Sequence, residues 1–206
     1  MYRCVSNEEI NIFNKSARII IAGRSGAGKS VFVSKLIRKY RSCFDHIIAI
    51  GSNLENVEDL NVIRNDDFRP FDNEIDGNIL LIYDDIIYEK HLMQDAAKVF
   101  VKGSHLNLSA IILVQNLFLD DKNFRIISLN ANYFCLMGMR DLNQLTLFAK
   151  TFLTKQKIQP FVELYRKIVS KQKHSYLFVD FTKDFDDPLS IRACVNNESY
   201  ERAYEF

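Results

Sequence analysis

Runs of branched apolar residues recur along the chain, each closed by glycine or polar residues. They are Arg18-Ile19-Ile20-Ile21, His46-Ile47-Ile48-Ala49-Ile50, Ile79-Leu80-Leu81-Ile82-Tyr83, Ala110-Ile111-Ile112-Leu113-Val114, Tyr133-Phe134-Cys135-Leu136 and Tyr176-Leu177-Phe178-Val179. None alternates apolar with polar, so each predicts a strand buried on both faces, as in a parallel sheet covered by helices. The strands are expected over 17–23, 45–51, 78–85, 109–116, 132–138 and 176–181, and Ile191 to Val195 finish the core. Between several of them the apolar period shifts to that of a helix. Val33, Leu36, Ile37 and Tyr40 share a face over 31–40, and Leu92, Ala96, Val99 and Phe100 share one over 89–102, which Gly103 can end. Asp141 can cap a third helix running to Lys150, and a fourth is expected over 160–171 with Pro160 at its favourable first position. Strand and helix in alternation predict an α/β protein with a mostly parallel central sheet flanked by helices.

The polar segments carry weaker expectations. Residues 1–16 form an N-terminal arm or an edge strand. The Asn- and Asp-rich stretch 52–77 is an insertion, mostly loop, with a short helix around 55–63. Residues 120–130 read as polar and mobile, and the last residues, 197–206, as a loose tail or a docking segment. With 206 residues, 48% of them hydrophobic and 26% charged, the whole chain suits a single domain with a substantial core.

Chemistry enters at the first strand. Gly23-Arg24-Ser25-Gly26-Ala27-Gly28-Lys29-Ser30 matches G-x-x-x-x-G-K-[ST], the P-loop, with the strand before it and the helix after it that the motif requires. Glycines at 23, 26 and 28 let the backbone wrap closely round an anion. The loop's N–H groups and the positive end of the helix then face phosphates, so Gly23 through Ser30, together with Val31, are the expected nucleotide-binding residues. Lys29 would reach the β- and γ-phosphates of ATP, and Ser30 would give its hydroxyl to Mg²⁺. The strand 78–85 ends in Asp84 and Asp85, a Walker B element. Ligands of open α/β sheets sit beyond the carboxyl ends of the strands, which brings these acids to the phosphates. Asp84 would hold Mg²⁺, through water or Ser30, and Asp85 would polarise the attacking water. Gln115, at the tip of the next apolar strand, is the candidate sensor of the γ-phosphate; a hydrogen-bonded turn is the alternative. Arg125, in a stretch that also holds Lys122, and Arg140 are candidates for an arginine that completes a neighbour's site.

Charge and cysteines narrow the picture little. A net charge of +1 argues neither for nor against nucleic acid, and Lys98 and Lys102, one turn apart, read as a solvated face more readily than as a polyanion contact. Cys4, Cys43, Cys135 and Cys194 form no C-x-x-C pair, which fits free thiols in a reducing compartment. The N-terminus has no apolar core of signal-peptide length, and no apolar run is long enough to span a membrane.

A narrower series follows the P-loop and Ile82-Tyr83-Asp84-Asp85. It comprises Gly103-Ser104-His105-Leu106-Asn107-Leu108-Ser109 continuing through Val114-Gln115-Asn116-Leu117-Phe118, then Arg125-Ile126-Ile127-Ser128-Leu129-Asn130, Arg140-Asp141 and Tyr176-Leu177-Phe178-Val179-Asp180. Over about 17–196 the chain resembles the genome-packaging ATPases of the FtsK–HerA superfamily, in the poxvirus-type branch. Within it the chain is similar to the forms of Polinton/Maverick and virophage-like elements. That resemblance implies an additional-strand, RecA-like P-loop NTPase that uses ATP and Mg²⁺ to thread double-stranded DNA into a preformed capsid at a vertex. It also implies a homo-oligomeric ring, pentamer or hexamer, with ATP at the subunit boundaries, working inside the host cell at the site of virion assembly. Arg125 matches the position of the arginine acting across the boundary, with Arg140 in reserve, and Gln115 matches the polar sensor. Two features depart from the pattern: Asp85 stands where many related motors carry glutamate, and no nuclease or DNA-binding domain is appended. Other readings are a cellular or plasmid DNA translocase of the same superfamily, a nucleotide kinase, for which an arginine-rich lid is missing, and a non-catalytic nucleotide-binding protein supporting capsid assembly.

Overall fold

A computed structural model of the chain describes residues 2–5, 12–13, 15–51, 63–65, 68–72, 76–169, 174–184, 186–187, 189–194 and 201–204. In chain order the elements are β1 (Tyr2–Val5), β2 (Arg18–Ala22), α1 (Lys29–Tyr40), β3 (His46–Gly51), β4 (Ile63–Arg64), β5 (Ile79–Asp84), α2 (Lys90–Lys102), β6 (Leu108–Val114), α3 (Lys122–Asn130), β7 (Tyr133–Leu136), α4 (Leu142–Phe152), α5 (Lys155–Ile168), β8 (Tyr176–Asp180), β9 (Ile191–Cys194) and β10 (Glu201–Tyr204). The strands form one ten-stranded sheet in the order β1-β10-β9-β8-β7-β2-β6-β5-β3-β4. From β4 across to β7 every pairing is parallel. From β7 onward to β1 the pairings are antiparallel.

The unalternating runs are explained by helices on both faces. Ile20, Ile48, Leu81, Tyr83, Ile112 and Phe134 point into one apolar layer, closed by Phe100 of α2, Phe124 of α3, Phe148 of α4 and Phe161 of α5. Their neighbours Ile19, Ile21, Ile47, Leu80, Ile82, Ile111 and Cys135 point into the other, which Phe32, Val33, Leu36 and Ile37 of α1 cover. Every residue of β5 and of β6 is buried, so a one-residue slip in either would leave both apolar layers mismatched with their helices. Among the described residues Cys43 is a free thiol, and no helix is long and apolar enough to cross a membrane.

Four expectations are corrected or narrowed. The stretch taken as polar and mobile contains α3: the Asp121 carboxylate caps it, accepting from the Asn123 and Phe124 N–H groups at 2.8 Å each, and Phe124 and Ile127 bury one side of it. Pro160 does not open its helix. α5 begins at Lys155 and carries Pro160 inside, where the buried Phe161, Val162, Leu164, Tyr165 and Ile168 outweigh the one backbone bond that proline cannot donate. Residues 201–204 are not loose, because β10 pairs with β9 on one side and with β1 on the other. β1 thus takes the edge-strand form considered for the N-terminus. The helix expected over 55–63 falls on residues outside those described, except Ile63, which opens β4 opposite Ile48.

Candidate functional site

β2 ends at Ala22 and the P-loop is pinned from both sides as it leaves the sheet. The Gly23 N–H donates to the Val114 carbonyl at the end of β6 (3.1 Å), and the Arg24 N–H donates to the Gly138 carbonyl beyond β7 (2.9 Å). Gly28 closes the loop at φ 98° and ψ 19°, with no side chain to cap α1. The first N–H groups of α1 are therefore left for an anion from outside the helix. No acidic residue stands in that first turn to compete. The Lys29 ammonium folds back over the loop and donates to the carbonyls of Gly23 (2.7 Å) and Arg24 (3.3 Å).

Around this loop lies a cleft of about 410 Å³, a volume suited to a small-molecule ligand. Ser25, Gly26, Gly28, Lys29, Ser30 and Val31 line it from the loop and α1, Asp84 and Asp85 from β5, and Gln115 from the tip of β6. The expected members Gly23, Arg24 and Ala27 do not face it; Gly23 and Ala27 are buried beneath the loop, and Arg24 is exposed. β5 brings its acids to the cleft because β6 alone separates it from β2. The close pairing of Asp84 with Gly51 of β3 requires glycine there, since a Cβ at Gly51 would collide with the Asp84 carbonyl. Asp85 takes a left-handed backbone, φ 55°, a conformation aspartate accepts better than most residues, and it turns out of the strand into solvent.

The electrostatics couple the two halves. Burial pushes the Asp84 carboxyl above its usual range, against the pull of the Lys29 ammonium and with a further push from Asp85. Burial likewise lowers Lys29, while Asp84 and Asp85 hold it up. Both groups are thus partly desolvated, and each is the other's counter-ion. A ligand with negative charge for Lys29 and a cation for Asp84 would satisfy both. The donor set suits Mg²⁺: the Ser30 hydroxyl and the buried Asp84 carboxylate are hard oxygen ligands. Among the described residues no group of three or more His, Cys, Asp and Glu is placed to hold a metal.

Arg125 and Arg140 are both exposed, Arg125 on α3 and Arg140 in the turn before α4, and neither lines the cleft. Lys98 pairs with Asp95 of its own helix at 3.0 Å, in keeping with a solvated face. Two residues near the site escape a reading of the sequence. Gln144 of α4 accepts from the Leu117 N–H (2.7 Å) and donates to the Asn116 side chain (3.2 Å), so it props the turn that carries Gln115. Its signal is weak, a glutamine at helical spacing from the cap Asp141. His174 also lines the cleft, and a lone histidine after a polar stretch has no motif to mark it.

No family model matches the sequence, and no curated protein matches it. Solved structures do. The genome-packaging NTPase B204 of Sulfolobus turreted icosahedral virus 2, in complex with sulfate, superposes with a TM-score of 0.61 at 14% identity, over 94% of this chain and 98% of that one. The same NTPase in complex with ATP-gammaS gives 0.60 at 16% identity, over 87% and 97%. The cytoplasmic domain of the type VII secretion ATPase EccC of Thermomonospora curvata gives 0.57 at 8% identity, over 97% of this chain and 26% of that one. At these identities the likeness establishes a shared fold, that of P-loop ATPases, as the strand and helix pattern predicts.

Proposed function

We propose that this chain is an ATP-hydrolysing motor that translocates double-stranded DNA into a preformed viral capsid, of the FtsK–HerA superfamily and its poxvirus-type branch. The observation that carries the enzymatic part is the single cleft into which Lys29, Ser30, Asp84, Asp85 and Gln115 converge from three different strand ends. ATP enters with its triphosphate along the loop, and Lys29 leaves the Gly23 and Arg24 carbonyls for the β- and γ-phosphates. Ser30 and Asp84 would hold Mg²⁺, which would supply charge neutralisation at the phosphates. Asp85, exposed at the strand end, accepts a hydrogen bond from the water that attacks the γ-phosphorus, and Gln115 fixes that water or the γ-phosphate from the other side. The bond to the bridging oxygen breaks, and ADP and phosphate leave.

The motor part rests on the motif series, on the fold shared with a viral genome-packaging NTPase and on the exposed Arg125. An arginine on a surface helix, away from its own cleft, suits a site completed by the next subunit of a ring, pentamer or hexamer. DNA and a capsid vertex are the partners of this reading, and virion assembly inside the host cell is its setting. A second reading is a translocase for protein cargo, favoured by the likeness to the EccC ATPase. The test is the ATPase rate with and without duplex DNA, for parent and Arg125→Ala chains mixed in varied ratios. Stimulation by DNA and a non-linear loss of rate on mixing support the packaging motor. A rate indifferent to DNA, falling in proportion to the variant, contradicts it.

A further inference from the structure

His174 faces the nucleotide cleft from the side that the motif residues leave open. β6 and β5, which deliver Gln115 and the two acids, lie on one side of β2; β7 and β8 lie on the other. β8 runs antiparallel to β7, with Leu177 opposite Leu136, so its first residues stand at the same end of the sheet as the P-loop. His174, just before Tyr176, is therefore carried to the far wall of the cleft. Its imidazole lies directly on Gly28: a Cβ there would come within 2.5 Å of the histidine Nδ1. That nitrogen is shielded from solvent without a hydrogen-bond partner among the described residues. The backbone of His174 is left-handed, φ 58°, which histidine adopts more readily than most side chains but still at some cost.

Strain and an orphaned ring nitrogen, concentrated in one residue at a cleft wall, indicate a group placed for a ligand. The cleft's polarity says which part of the ligand. Lys29, Asp84, Asp85 and Gln115 mark the γ-phosphate end, so the opposite wall meets the nucleoside. A ribose hydroxyl both donates and accepts, and it can satisfy Nδ1 in either tautomer of the imidazole. We propose that His174 is a nucleotide-contacting residue: a rotation about its side-chain bonds turns Nδ1 from Gly28 to the ribose of the bound nucleotide. This inference rests on the nucleotide site proposed above and adds to it a recognition of the nucleoside as distinct from the triphosphate.

Calorimetric titration of the full chain with ATP-gammaS and with inorganic tripolyphosphate, both with Mg²⁺, tests it. His174→Ala and His174→Asn are expected to weaken ATP-gammaS binding by about 5- to 30-fold, the loss of one buried hydrogen bond, and to leave tripolyphosphate binding unchanged. His174→Asn is the safeguard for folding, because asparagine accommodates the left-handed backbone while its shorter side chain cannot reach the ribose. In steady-state hydrolysis KM for ATP should rise with kcat retained. Lys29→Ala should weaken both ligands. Unchanged ATP-gammaS affinity in both His174 variants, or an equal loss for both ligands, overturns the inference while the site stands. Parental binding of both ligands by Lys29→Ala overturns the site itself.

Discussion

Lys29 already spends its hydrogen bonds on the Gly23 and Arg24 carbonyls, so binding a triphosphate exchanges two neutral acceptors for charged ones. Both sets of bonds carry the ammonium's charge, so it is the added Coulombic attraction of the anionic phosphate oxygens that draws Lys29 onto them. Lys29→Ala should therefore lower the ATPase rate by about 10²-fold or more, read as phosphate release under saturating ATP. Asp85→Asn keeps the size of the side chain and an acceptor oxygen but removes the negative charge that polarises the attacking water; kcat should fall by about 10²-fold with nucleotide affinity retained. Local motif was enough to place Lys29, Ser30, Asp84, Asp85 and Gln115 at one cleft, because each lies at the end of an apolar strand or in the loop and first helical turn that follow it. His174 was out of reach of that logic. Its place depends on the antiparallel return of β8 beside β7, a long-range pairing with no local signature, and the same is true of Gln144, whose partners lie one strand away.

At the scale of elements, α5 is tied to the site by one hydroxyl. Tyr165 donates to the Met137 carbonyl at 2.7 Å and accepts from the Met139 N–H at 2.8 Å, in the turn whose Gly138 carbonyl receives the Arg24 N–H. Tyr165→Phe should destabilise the chain by about 1–2 kcal/mol, the loss of a buried bonded pair, measured by denaturant unfolding. Burial pushes the Tyr165 phenol up to about 12, against the pull of the Met139 N–H and of Arg24. A folded-state value above the unfolded one, about 10, means that the native state holds its proton longer. The stabilisation is whole below pH 10 and is lost as pH rises toward 12. Tyr83 and Tyr133 shift in the same direction, so the phenylalanine variant should show a shallower alkaline decline in stability, not a flat one. The helices that were legible, α1, α2 and α4, carry an apolar face or a capping aspartate that shows in isolation. α3 was not, because only Phe124 and Ile127 of its nine residues are buried and its capping aspartate looks like ordinary loop polarity. α5 was misplaced at its start because proline is the stronger local signal and the buried face the stronger physical one.

The whole molecule is asymmetric in a way that bears on the proposed motor. α1 covers one face of the parallel half-sheet, α2 to α5 the other, and Arg125 sits on the outer surface of the crowded face with Ile126 and Leu129 exposed beside it, at 40% and 62%. In the proposed ring this is the face that meets a neighbour's cleft, and Arg125→Ala should reduce hydrolysis by about 10³-fold without reducing nucleotide binding to the same degree. Fold class was readable from the six apolar runs, five of which are parallel strands; the sixth, β8, is antiparallel yet equally buried, so its direction was not legible. The sheet's full width was not: the edge strand β1 and its neighbour β10 are four residues each, and their pairing is a long-range one with no local signature.

The claim on which the rest depends is that an anion-binding loop and the acids of a separate strand close round one magnesium-bound triphosphate. Magnesium-dependent ATP hydrolysis by the Asp84→Asn/Asp85→Asn double variant measures it most directly, beside a thermal melt that verifies its fold. The account predicts a folded protein with hydrolysis reduced by about 10²-fold or more and with little response to Mg²⁺. A folded double variant that hydrolyses ATP at the parental rate, with the parental magnesium dependence, would contradict it.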